Sequence, residues 1–277
     1  MTAAGTASPV RGATVTASPG SSGAAFWPVV WALSRRGLQR MTRRVSLIIP
    51  VVAMPVFFVV AFSGTFNSLS NFDAYGTDEV INWMVPWAVL QGAAFAGMGA
   101  AGSLATDLEG GFFDRLLLAP VPRTALVAGP LLYAGLRSLI PTTLVIIVSV
   151  ALGADLEGGV LAVVVLYVAA IGVSMVMGLL GTTVVLIIGN LRALALAQVL
   201  LFTFMFLSIG QVPLSLMDGW LHAVARVNPM TNILRMARQG LLGDVSWTNT
   251  WPGLVAIGGL MTGLGLAAVA ALRRRIP

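Results

Sequence analysis

The sequence predicts an all-α, polytopic membrane protein with six transmembrane helices, an amino-terminal interfacial helix, and short extracellular helices between spans five and six. Three observations support this fold class. The 277 residues are 57% hydrophobic and only 9% charged, whereas a soluble domain carries about 25% charged residues. Six apolar stretches are long enough to cross a membrane, because a helix of roughly 20 residues crosses the bilayer core. All 16 basic residues are arginines, and all of them except Arg137 lie outside these stretches.

The chain begins with two segments that precede the first span. Residues 1–25 are almost wholly small, polar or proline residues, and this composition predicts a disordered cytoplasmic tail. Residues 26–44 start with aromatic side chains and continue with Arg35, Arg36 and Arg40. This pattern is typical of a helix that lies at the level of the lipid headgroups. The six-span domain then covers residues 45–272, and residues 273–277 form a basic cytoplasmic tail.

The predicted spans are residues 45–63, 81–105, 125–152, 160–188, 194–210 and 251–272. The third stretch is too long for one crossing and carries Arg137 and Pro141. We therefore expect its first half to run along or inside the cytoplasmic boundary, with the span after Arg137. Residues 61–63 also have the form of a signal-peptidase site, but their apolar run starts about 45 residues in, later than in signal peptides.

The arginines predict the orientation of the chain. With the amino terminus inside, 13 of the 16 arginines lie on the cytoplasmic side, and only Arg226, Arg235 and Arg238 lie outside. By the positive-inside rule, both termini are therefore expected in the cytoplasm.

The cytoplasmic loop between spans two and three covers residues 107–123, ending at Arg123. On a helical projection, leucines and phenylalanines fall on one side, and Asp107, Asp114 and Arg115 fall on the other. This predicts a short amphipathic helix on the inner membrane surface, or simply a surface helix that ends a loop. Glu109 falls among the apolar residues, where a carboxylate needs a partner, and an arginine of the interfacial helix could supply it.

The extracellular segment between spans five and six contains signals for two short helices. Asp218 can cap the first, and Asn228-Pro229 supplies a cap and a first-turn proline for a second that runs to Gly240. One face of the second helix is apolar and must be buried; its members are Met230, Ile233, Leu234 and Ala237. The pair either gates the extracellular mouth or is an ordinary capped hairpin.

The composition excludes several classes of protein. A chain without lysine cannot contain the G-x-x-x-x-G-K-[ST] phosphate-binding loop, so no ATP site of that kind is expected. With no cysteine and only His222, we expect no metal site. The apolar stretches contain no chain of Asp, Glu or His that could relay protons, which argues against an ion-driven pump. No catalytic residues are identified. The net charge of +6 fits the topology of a membrane protein better than the binding of nucleic acid.

Aromatic and methionine side chains on spans two and five could line a path for an apolar ligand. They are Phe95, Met98, Phe202, Met205 and Phe206. In a membrane bundle such residues more often pack together or face lipid.

These features resemble the ABC-2 type permease family, and within it the daunorubicin-resistance type of drug-export permeases. The resemblance covers about residues 26–277. It depends on Glu109-Gly110 followed by Arg115 and Arg123 in the cytoplasmic loop, and on Asn228-Pro229 followed by Arg235 in the extracellular segment. Pro130 departs from the family, in which a polar or basic residue is common there.

The resemblance implies a permease subunit of a bacterial inner membrane that exports an amphipathic or hydrophobic compound, drug-like or lipid-like. A separate ATP-binding subunit would bind ATP and Mg²⁺ and dock against the loop of Asp107 to Arg123 and the interfacial helix. A second permease copy, identical or not, would complete the pathway, with membrane lipid around it. The alternatives are a non-transporting assembly protein, an intramembrane enzyme, or an ABC exporter of lipid-linked glycans.

Overall fold

The computed structural model of the chain describes residues 26–43, 49–66, 80–243 and 245–275, and no strand occurs among them. The all-α fold class is thus confirmed for this part of the chain. The tail expected over residues 1–25 and Arg44 lie outside it. In chain order the helices are α1 Phe26–Thr42, α2 Ile49–Phe66, α3 Val80–Glu109, α4 Phe112–Leu118, α5 Ala125–Ala151, α6 Gly159–Ile188, α7 Ala193–Phe206, α8 Gly219–Val227, α9 Pro229–Arg238 and α10 Trp247–Arg273.

Four of these helices are long and apolar enough to cross a membrane: α3, α5, α6 and α10, each with 27 or 30 residues. At about 1.5 Å per residue, even the shorter ones reach roughly 40 Å. Two other apolar helices, α2 and α7, match the first and fifth predicted spans but are shorter, and α7 has only 14 residues. The count of six spans therefore stays a prediction.

The centre of the bundle is α3, which packs against both α5 and α6. In its most apolar stretch 78% of the residues are buried, compared with 17% in α10. Small residues allow the helices to approach closely, because a methyl group on Gly97 of α3 would overlap the main-chain carbonyl of Ser174 on α6. The core is therefore organised around α3, and α10 lies at the periphery.

Residues Ala125–Ala151 form one continuous helix, α5, and the expectation that its first half lies at the cytoplasmic boundary stays a prediction. Arg137 does not interrupt the helix. Its side chain is only 6% exposed and lies against Gly99 of α3, where the absence of a β-carbon leaves room for the guanidinium. The charge is thus accommodated within the bundle, and the helix continues past it.

The two ends of the bundle carry different short helices. At one, called here the α4 end, α1 packs along the first half of α5 and α4 follows α3. The hydroxyl of Ser34 donates to the carbonyl oxygen of Gly129 at 2.8 Å, and Gly37 leaves room for the ring of Tyr133. Trp27 and Trp31 of α1 are exposed. The position of α1 beside the bundle fits an interfacial helix.

At the opposite end, called the α9 end, α8 and α9 follow α7, as the sequence predicts. Asp218 occupies the N-cap position of α8, but its side chain makes no capping hydrogen bond. Asn228 caps α9 and Pro229 stands in its first turn, as expected. The helix ends at Arg238 instead of Gly240, because residues Gln239–Leu241 tighten into a 3-10 turn.

Candidate functional site

At the α4 end, one carboxylate and its arginine partners connect three helices. Asp107, near the end of α3, accepts two hydrogen bonds from the guanidinium of Arg36, at 2.5 and 2.9 Å, and one from Arg40 at 3.0 Å. The guanidinium of Arg36 also lies 3.7 Å from the centroid of the Phe112 ring at the start of α4. The Asp107 side chain is 14% exposed, so these two-pronged contacts are partly shielded from water. We call Asp107, Arg36, Arg40 and Phe112 the Asp107 junction.

The expectation of one amphipathic helix starting at Asp107 is wrong. The helix α3 continues to Glu109, and Gly111 then adopts the left-handed conformation with φ of 67° before α4 begins at Phe112. A residue with a side chain is disfavoured in this conformation. Asp107 is therefore part of α3, and the turn at Gly111 separates it from α4.

Among the described arginines of α1, Arg36 and Arg40 bind Asp107 and not Glu109, where an arginine partner was expected. Glu109 is exposed, and its Oε1 accepts a hydrogen bond of 2.8 Å from the main-chain N–H of Leu191, just before α7. Two residues apart on a helix, the side chains point about 200° away from each other, so only Asp107 faces α1. Glu109 thus connects the end of α3 to the start of α7, where a negative charge is favourable.

The other charged residues assigned to the coupling loop and to the interfacial helix remain on the surface. Asp114 and Arg115 on α4, Arg123 before α5, and Arg35 on α1 are all exposed. The opposite side of α4 is anchored, because the side chain of Phe113 is buried in the core. The structure therefore brings Arg36 and Arg40 to Asp107 and leaves these four charges available to another molecule.

Three of the five residues assigned to a ligand path line one groove. Phe95 and Met98 on α3 and Phe202 on α7 border an open space of about 590 Å³ between α2, α3, α5 and α7. The rings of Phe95 and Phe202 meet edge to face, with centroids 5.8 Å apart. We call this space the α3–α7 groove. It is lined by Val51, Met54, Phe95, Met98, Gly99, Gly102, Arg137, Leu194, Gln198 and Phe202.

The remaining two path residues lie elsewhere. Met205 is fully buried in the hydrophobic core and does not border the groove. Phe206 belongs to an aromatic cluster, with its ring 5.4 Å from that of Trp87 and 6.3 Å from that of Phe58. Met205 therefore packs the core, and Phe206, which is 39% exposed, packs against neighbouring rings at the surface of the bundle.

At the α9 end, Asn228 connects two helices. Its side-chain oxygen accepts from the N–H of Met230 at 2.9 Å, which is the predicted cap of α9. Its amide nitrogen donates to the carbonyl oxygens of Phe204 and Leu207, at 2.8 and 2.7 Å, at the end of α7. The predicted apolar face of α9 is buried as expected. One side chain thus caps α9 and satisfies the last carbonyls of α7.

Arg238, predicted only to be an extracellular arginine, is deeply buried at the α9 end. It is buried and donates to the main-chain carbonyls of Trp83, Ile209 and Gly210, at 3.1, 3.1 and 2.9 Å. Its guanidinium also lies 3.5 Å from the centroid of the Trp83 ring. The sequence did contain an indication of this burial, because Arg238 follows Leu234 by four residues and therefore lies on the buried face of α9.

Arg235, the third residue assigned to the gate, lies on the exposed side of α9. Together with Arg238, it borders a polar pocket of about 440 Å³ that also includes Ser215 and Asn249. The three gate residues therefore occupy different surroundings: Asn228 and Pro229 at the α7 to α9 connection, and Arg235 at the rim of the pocket.

The ABC-2 type transporter family matches residues 28–242. The daunorubicin resistance ABC transporter permease protein DrrB1 of Streptomyces coeruleorubidus is 29% identical over 226 residues, which cover 80% of this chain and 76% of the relative. The putative transport permease ycf38 of Porphyra purpurea is 28% identical over 226 residues, which cover 79% of this chain and 75% of the relative. The matched region includes the Asp107 junction, the α3–α7 groove and α9.

Proposed function

The chain belongs to the ABC-2 type transporter family, and from this premise we propose that it is the membrane subunit of an exporter driven by ATP that a separate subunit hydrolyses. In this proposal the cargo is an amphipathic or hydrophobic compound. The helices α2 and α7 complete six spans, the α4 end faces the cytoplasm, and the α9 end faces outside. A second permease copy completes the pathway.

The observation that carries the proposal is the Asp107 junction. Its Arg36 binds Asp107 of α3 and lies against the Phe112 ring of α4, while the charges of Asp114 and Arg115 on α4 are exposed. A short helix that is anchored on one side and charged on the other suits the docking of a soluble partner, because the anchor transmits force and the charges select the partner.

A route from α4 to the groove supports the coupling of docking to transport. Glu109 lies between the Asp107 junction and the start of α7, which it contacts through Leu191. Further along, α7 carries Phe202 into the α3–α7 groove and ends at carbonyls held by Asn228. In this mechanism, a displacement of α4 moves the start of α7, changes the width of the groove, and reaches the gate at α9.

The docking surface can be tested with single cysteines, because the native chain contains none. Arg115→Cys on α4 and Thr248→Cys at the α9 end are both exposed positions. After co-expression with ATP-binding subunits from the same genome, we expect the cognate subunit to co-purify and to protect the cysteine at position 115 from a maleimide in detergent. The cysteine at position 248 should stay reactive. Equal labelling at position 115 with and without the bound subunit would contradict docking at α4.

A further inference from the structure

The α3–α7 groove combines apolar walls with one permanent positive charge. Arg137 borders it from α5, and Phe95, Met98 and Phe202 are among its apolar lining residues. A guanidinium keeps its proton under all conditions relevant to a protein. An arginine at this depth in an apolar bundle is costly and therefore marks a functional site by default.

The guanidinium is held in one position. Gly99 provides the space for it between α3 and α5, because any side chain there would overlap it. Its Nη1 donates to the hydroxyl of Tyr133 at 3.4 Å, one turn earlier on the same helix. A charge that is fixed before a ligand arrives loses little conformational entropy on binding, so the site is preorganised.

The dimensions and polarity of the groove fit an amphiphile. A volume of about 590 Å³ lies within the roughly 300–1,000 Å³ of small-molecule sites. The mouth includes Met54 on α2, whose side chain is 42% exposed, so the space is open beside an apolar helix. Gln198 on α7 adds a neutral polar group. A cationic ligand would meet a like charge here, whereas an anion would gain a charge-assisted hydrogen bond.

We propose that the α3–α7 groove binds an anionic amphiphile from the membrane, with its phosphate or carboxylate at Arg137 and its apolar body along Phe95 and Phe202. This inference rests on the proposed export function, and it assigns a negative charge to the cargo. It also places the entrance for the cargo on the side of the bundle between α2 and α7.

The test uses the full-length chain in nanodiscs of phosphatidylcholine. Met54→Cys is the only cysteine and carries an environment-sensitive fluorophore at the groove mouth. Dodecyl phosphate and dodecyltrimethylammonium, which share the same tail, are titrated separately. We expect the phosphate to bind at least about tenfold more tightly, as expected for one charge-assisted hydrogen bond. Equal affinities for the two probes would overturn the proposal.

Three variants, each combined with Met54→Cys, test whether Arg137 causes the preference for dodecyl phosphate over dodecyltrimethylammonium. Arg137→Gln should abolish it, while Arg192→Gln, an exposed arginine before α7, should retain it. Because Arg137→Gln can disturb folding, Gln198→Glu provides a second test: its carboxylate adds a negative charge to the groove and should weaken dodecyl phosphate binding about tenfold. A preference for the phosphate that survives Gln198→Glu unchanged would place the anion elsewhere and overturn the assignment.

The outcome separates this inference from the proposed function. Probe binding is measured on the permease alone, whereas the proposed function is tested by assembly with the ATP-binding subunit. A chain that assembles but binds both probes equally would refute only the anionic site. A chain that selects dodecyl phosphate but assembles with no ATP-binding subunit would refute the exporter and leave the groove as an anion-binding site.

Discussion

The two ends of the bundle are held together by different kinds of contact. At the α4 end, Asp107 joins α1 to α3 through Arg36 and Arg40, whose side chains are 34% and 33% exposed. At the α9 end, Arg238 and Asn228 are buried and donate to main-chain carbonyls of other segments. One end thus depends on partly exposed ion pairs, and the other on buried hydrogen bonds.

This difference predicts which end can rearrange. Ion pairs near the surface contribute about 0–1 kcal/mol and are screened by salt, so the Asp107 junction can break and form again at low cost. A buried carbonyl that loses its donor costs about 1–3 kcal/mol. We therefore expect α9 to move only together with the end of α7, and α4 to move more freely.

The largest effect should come from Arg238→Met, which keeps much of the side-chain volume but leaves three carbonyls without this donor. We expect a loss of about 3 kcal/mol or more of stability, measured by thermal unfolding in detergent. Arg235→Met on the exposed side of the same helix is the matched control and should change stability by less than about 0.5 kcal/mol. Equal losses of stability in the two variants would contradict the idea that buried hydrogen bonds of Arg238 hold the α9 end together.

The next effect should come from Asn228→Ala, because loss of a helix cap costs about 0.5–2 kcal/mol. Asn228→Asp separates the two roles of the residue: it keeps the acceptor for Met230 but loses the donations to Phe204 and Leu207. We expect both variants to be expressed and to change basal ATPase activity of the assembled transporter. Wild-type activity in Asn228→Asp would show that the α7 connection has no role in gating.

A smaller effect on stability is expected for Asp107→Asn. Loss of the ion pairs should cost about 1 kcal/mol at low salt, and the difference from the wild type should shrink as ionic strength rises. The stimulation of ATP hydrolysis by the bound permease should fall as well, because Arg36, which contacts Phe112 of α4, is no longer held by the carboxylate of α3. Asp114→Asn on the exposed face of α4 should leave stability unchanged. A loss that does not depend on salt would contradict an ion-pair junction.

The smallest effect on stability is expected for Glu109→Gln, because the amide oxygen can still accept from the N–H of Leu191. Glu109→Ala removes that acceptor. We expect both variants to unfold within about 0.5 kcal/mol of the wild type, as is usual for surface positions, while only Glu109→Ala lowers stimulated ATP hydrolysis. If both variants keep full stimulation, the contact between α3 and α7 does not transmit the signal.

The sequence predicted the helices of the bundle well because long apolar runs and caps are local signals. The Asn228-Pro229 start of α9 was predictable, since a cap and a first-turn proline act within one turn. Phe95, Met98 and Phe202 line one groove, whereas Met205 and Phe206 do not, because the face of a helix that meets a groove depends on its neighbours.

The pairing of charges was less predictable. Asp107 and Glu109 differ by only two positions, and the left-handed turn at Gly111 decided that α3 continues through both. This placed Asp107 toward α1 and Glu109 toward α7. A helical projection of residues 107–117 as one helix could not show this.

By itself, the sequence determined the apolar and all-helical character of the protein, the bias of its arginines, and the absence of any lysine for a phosphate-binding loop. These properties follow from composition and local spacing. Only the tertiary structure decided that Arg137 meets the groove, that Arg238 holds three carbonyls, and that Asp107 is the carboxylate that binds α1. Each of these contacts joins residues distant in sequence, and their partners are set by how the helices pack.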